Sequence, residues 1–66
     1  MSYELVKQWI DDPDSVTEDQ IDQALQTLYT GEATGAIICL VGALTSIKEG
    51  TGANVAMLIE RYERQI

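Results

Sequence analysis

The stretch from Gly35 to Ser46 constrains this chain more than any other, because it has helical spacing and is apolar on nearly every side. At 100° per residue, Gly35, Cys39, Gly42 and Ser46 fall within about 60° of arc, a 4-3-4 seam of small residues only. Ile37, Leu40, Val41, Leu44 and Ile47 occupy the broad opposite face. A helix that is apolar all round is expected to be the central, buried one. Glycine inside a helix costs about 1 kcal/mol relative to alanine, so the seam predicts the close approach of another backbone. Two partners meet that requirement: a neighbouring helix of the same chain, or a second copy crossing about a two-fold axis to make a homodimer.

Punctuation around this segment marks three further helices. Ser2 is the expected N-cap of the first, which carries Leu5, Val6, Trp9 and Ile10 on one face and stops before Pro13. Thr17 with Gln20 makes a capping box, and Val16 with Ile21 has the spacing of a hydrophobic staple. Ile21, Ala24, Leu25, Leu28 and Tyr29 then repeat as an amphipathic stripe, with Gly31 expected in the left-handed C-terminal position. Gly50-Thr51-Gly52 closes the third helix, Thr51 is the expected cap of the fourth, and Val55, Leu58, Ile59, Tyr62 and Ile66 form its apolar stripe. No segment alternates as a strand does. The expectation is an all-α bundle of four short helices, about residues 3–11, 18–30, 33–49 and 52–65, in one domain spanning 1–66 with the third helix central.

Size sharpens that expectation. A domain of about 60 residues buries only about 60% of its unfolded surface. This one has a single cysteine and no histidine, so neither an internal disulfide nor a zinc site reinforces it. Helix packing and self-association remain. The lone Cys39 fits a reducing compartment. The first residues lack the basic and apolar regions of a signal peptide, and Gly35–Leu44 is shorter than the roughly 20 residues of a membrane span. A cytoplasmic protein without a membrane partner is the reading.

Charge carries the functional signal. Between Gln8 and Ile47 there is no Lys, Arg or His, and Asp11, Asp12, Asp14, Glu18, Asp19 and Asp22 crowd the first half of that window. The whole net charge of −7 belongs to the segment before Lys48. A field of one sign favours basic partners and repels polyanions. Carboxylates three or four residues apart stand roughly 5–6 Å from one another at Cβ, a spacing able to imitate a row of phosphates. Glu18 and Asp19 also match the dipole of a helix start, but Asp22 lies beyond the first turn and four residues from Glu18, so dipole matching leaves a surplus. Those six residues are the expected partner-binding set.

Other chemistry is poorly supplied. Without histidine the side chain best suited to proton transfer near neutrality is missing, and Cys39 has no helix N-terminus or basic neighbour in sequence to activate it. The chain reads as a non-enzyme that needs no cofactor. From Asp12, oxygens alternate as in a calcium loop, but the sixth position is Thr17 where the turn needs Gly, and the twelfth is Gln23 where the metal needs a bidentate Glu. No metal site is expected. Gly50, Thr51 and Gly52 at a helix start could turn backbone N–H groups on an anion, although no strand, third glycine or lysine completes a nucleotide fingerprint. Helices three and four resemble a helix-turn-helix pair only loosely, and Arg61 and Arg64 are too few for direct nucleic-acid binding.

In its small size, acidity and lack of catalytic groups the chain resembles small proteins of phages and mobile elements that bind and inhibit a host factor. The first functional expectation is therefore an acidic binding module, acting on a basic surface of another protein as an inhibitor or a mimic of DNA. The alternatives are a homo-oligomer that holds a nucleotide or another small anion, and a structural or assembly subunit.

Overall fold

In the computed structural model, which describes residues 2–50 and 52–66, the chain is all-α and has no strand among the described residues. Its elements are α1 (Ser2–Asp11), a 3-10 turn (Pro13–Ser15), α2 (Glu18–Tyr29), α3 (Gly35–Lys48) and α4 (Val55–Glu63). The molecule measures 29 × 22 × 18 Å. Its accessible surface, 4303 Å², is close to the roughly 4,200 Å² expected of a folded 7.3 kDa monomer.

Helix α3 touches all three other helices and packs most extensively on α4. The core consists of Val6 from α1, Ile21 and Leu25 from α2, Leu40, Ala43, Leu44 and Ile47 from α3, and Val55 and Ile59 from α4. Val6, Ala43 and Leu44 are fully enclosed. The apolar spacing of each helix thus points at one centre, and burial of those side chains is the main stabilising term. A second tie joins the ends of the chain: the rings of Tyr3 and Tyr62 stack at 5.1 Å, and the Tyr3 hydroxyl donates to Glu63 Oε2.

The start of α2 follows the sequence closely. Thr17 Oγ1 accepts from the Gln20 amide at 3.2 Å and Gln20 Oε1 accepts from the Thr17 amide at 2.8 Å, the reciprocal pair of a capping box. Helix α3 begins behind a cap the sequence reading passed over, Thr34, whose Oγ1 accepts from the Ile37 amide at 3.2 Å.

Several expectations are corrected. Ser2 is the first helical residue of α1 and is buried, rather than capping from outside. Gly31 is not left-handed: α2 ends on the αR cap Thr30, and positive φ occurs only at Gly50 (76°) and Gly52 (47°) among the described residues. Helix α4 starts at Val55, three residues later than expected, because Gly52–Val55 forms a turn in which the Val55 amide donates to the Gly52 carbonyl at 3.2 Å. Thr51, the expected cap, lies outside the described residues; the N-cap is Asn54, without a side-chain bond. Ile66 falls beyond the end of α4 and is exposed, as are Ile10 and Tyr29. Nor is α3 buried on every side, since Ile38 is 62% exposed. It stands beside Leu28 and Tyr29 at the end of α2.

Candidate functional site: the acidic corner and the small-residue seam

The corner between α1 and α2 is held by a compact set of hydrogen bonds. Asp12 caps the 3-10 turn, its Oδ1 accepting from the Asp14 amide at 3.2 Å. Ser15 Oγ donates to the Asp12 carbonyl at 2.7 Å, and Gln8 Nε2 on α1 reaches the Ser15 carbonyl and hydroxyl at 3.0 and 3.1 Å. Pro13 fixes its own φ. The corner therefore has a set shape although its residues are at the surface.

Around it, Asp11, Asp12, Asp14, Glu18 and Asp19 are all exposed. Asp22 differs. Its Oδ1 lies 2.6 Å from Nζ of Lys48, at the end of α3, and the residue is half-buried. That bond and the carboxylate charge raise the Lys48 pKa, with Glu18 adding to the field on the ammonium. Sequence distance hid this pairing: Lys48 is 26 residues from Asp22 and meets it only because α2 and α3 run antiparallel. The acidic set thus divides into five exposed carboxylates and one, Asp22, tied to the scaffold.

The small-residue seam faces α4. A Cβ on Gly42 would lie 3.2 Å from Leu58 Cδ1, and one on Gly35 would meet the Gln65 side-chain oxygen. Buried Cys39 sits between them, and Gln65 Nε2 points at its Sγ from 3.5 Å. Ser46 closes the row, its carbonyl accepting from the Gly52 amide at 3.4 Å. The seam is expected to receive another backbone; what stands beside Gly42 and Gly35 is instead the side chains of Leu58 and Gln65 from the same chain.

The glycine turn is likewise used internally. The Gly50 amide donates to the Ile47 carbonyl at 3.1 Å, and the Gly52 amide to Ser46, so both finish α3 rather than point at a ligand. Gly52 is also pressed against the Trp9 indole, where a Cβ would come within 2.8 Å of Cη2. With α4 starting at Val55, no helix dipole opens at Gly50 or Gly52. Among the described residues, no three His, Cys, Asp or Glu side chains come together to hold a metal ion, and no helix is long and apolar enough to cross a membrane.

No family model, curated protein or solved structure matches this chain.

Proposed function

We propose that this protein is an acidic, non-enzymatic binding module whose α1–α2 corner docks on a basic surface of another protein. Asp11, Asp12, Asp14, Glu18 and Asp19 make the contact, and Asp22 with Lys48 keeps α2 in register behind them. A target groove that normally holds nucleic acid suits a cluster of carboxylates on a shaped corner, so inhibition by phosphate mimicry is the biochemical outcome. The lone thiol, Cys39, suits action in a reducing compartment.

The observation that carries this reading is the exposure of five carboxylates on and beside a hydrogen-bonded corner, with Lys48 engaged by Asp22 and Lys7 the one other lysine of the sequence. A corner whose backbone is held costs less entropy to dock than a mobile loop, and the common sign of its carboxylates speeds encounter with a cationic partner. The glycine-turn amides that would favour a small-anion binder are bonded to carbonyls of α3.

Capture from a lysate of the source cells tests the proposal, using wild type and a variant with those five residues changed to Asn or Gln. Asp22 is left in place, so the scaffold keeps its ion pair. Basic proteins retained by wild type and lost with the variant are the expected result. Equal retention by both proteins removes the acidic corner from recognition.

A further inference from the structure

The outer side of the α2–α3 pair carries a second feature, which shares only Glu18 with the five contact residues of the acidic corner. Leu28 and Tyr29 of α2, Gly31 and Ala33 of the connecting loop, and Ile37, Ile38 and Val41 of α3 line a shallow groove of about 210 Å³. Tyr29 is 68% and Ile38 62% exposed, so two large apolar side chains stand on its rims in contact with water. No charged residue lines it.

Charge gathers at its two ends instead. Glu32 lies in the loop between the lining residues Gly31 and Ala33 and is exposed. Along α2, Glu18, Asp22 and Tyr29 fall within about 40° of arc, so two carboxylates continue the Tyr29 side of the groove. Along α3, Ile38, Val41, Thr45 and Lys48 follow one strip about 80° wide. The Asp22–Lys48 pair bounds the far end. One lysine thus offsets one of three carboxylates, leaving an apolar floor between acidic ends. The apolar lining runs from Ile37 to Val41 on α3, about 6 Å along the helix, and Lys48 lies about 10 Å further on. Two to three turns of a helix match that length.

We infer that the α2–α3 groove receives a cationic amphipathic helix of a partner protein, with apolar side chains on Tyr29, Ile38 and Val41 and lysines or arginines against Glu32 and Glu18. This rests on the binding-module reading and names the element it binds. An apolar floor selects side chains spaced i, i+3, i+4 and i+7 on one helical face. The acidic ends select positive charge on the flanks of that face. A second copy of this chain fits less well, because it would bring another net charge of −7 to the same place.

The test uses two synthetic peptides of about fifteen residues with identical leucine and lysine content, one with leucines on a single helical face and one scrambled. Amide shifts of the isotope-labelled protein are followed during titration, for wild type and for the double variant Ile38→Gln, Tyr29→Ser, whose changes lie at exposed positions. The expected result is shifts at Tyr29, Ala33, Ile38 and Val41, at least tenfold tighter binding of the amphipathic peptide, and loss of that preference in the double variant.

Equal affinity for both peptides, with shifts confined to residues 11–22, overturns the groove and leaves the acidic corner standing. Failure of both peptides to bind at low salt overturns both readings. Groove shifts that depend on protein concentration alone make a second copy the occupant and also overturn the inference.

Discussion

Trp9 on α1 sets the tip of its indole against Gly52, the glycine that turns the chain from α3 toward α4: a Cβ there would stand 2.8 Å from the indole Cη2. Gly52 also has φ 47°, in the region where a Cβ costs about 1–2 kcal/mol. Gly50, with φ 76°, has open space around it. Gly50→Ala should therefore lose about 1–2 kcal/mol by backbone strain alone. Gly52→Ala should lose more, because the indole must also move. Denaturant unfolding ranks the two, and tryptophan fluorescence of the folded protein should change for Gly52→Ala only. Equal losses without a fluorescence change would remove Trp9 from the account of this turn.

At Gly42 two effects oppose. Alanine in place of a mid-helix glycine gains about 0.5–1 kcal/mol, and the added methyl needs Leu58 Cδ1 to give a few tenths of an ångström from 3.2 Å. Gly42→Ala should change stability by less than about 1 kcal/mol, since a leucine methyl can shift that far. Gly42→Leu should lose about 1–3 kcal/mol by overpacking the α3–α4 contact. Thermal melts check both, and a Leu variant as stable as wild type would mean α4 does not lie on the seam.

The capping box makes a local prediction. Thr17→Ala leaves the Gln20 amide without its side-chain acceptor and should cost about 0.5–2 kcal/mol. Thr17→Ser should restore most of that, because the hydroxyl is retained. Unfolding midpoints of the three proteins decide it.

Alkaline pH should loosen the tie between the chain ends. The hydrogen bond to Glu63, then desolvation and the Glu63 charge, raise the Tyr3 pKa above its ordinary value. A group whose folded pKa is raised contributes stability below its unfolded pKa, near 10 for tyrosine, and loses it as pH rises through the folded value. Lys48, raised by Asp22, follows the same sign from an unfolded value near 10.4. Stability should thus fall above about pH 10. Tyr3→Phe keeps the ring against Tyr62 but removes the titrating hydroxyl, so wild type should lose its advantage over this variant across the tyrosine window. A pH-independent difference in melting temperature between the two would contradict the assignment.

The features legible in the sequence are those set by neighbours in the chain. The capping box at Thr17 and Gln20 and the halt of α1 before Pro13 are both local, and both are present. So is the central role of α3, because its apolar content leaves few alternatives. What was missed depends on distance in sequence. That Gly52 is pressed against Trp9, a residue of α1, is one such feature. Asp22 looked unopposed because its lysine lies on another helix. Tyr29 has the spacing of a core residue, yet α2 ends there with nothing packed above it. Thr34 could have been read as a cap from its place just before Gly35, since threonine at a helix start is a strong signal.

The ionic-strength dependence of partner affinity tests the central claim most directly. With a captured partner in hand, its dissociation constant should be measured from about 50 to about 500 mM salt, over which the screening length falls to a few ångströms. For wild type, affinity should weaken steadily as salt rises, chiefly through a slower association rate. The five-residue neutral variant should bind weakly at every concentration. A constant that does not move with salt, or a neutral variant that binds as wild type does, would contradict recognition through Asp11, Asp12, Asp14, Glu18 and Asp19.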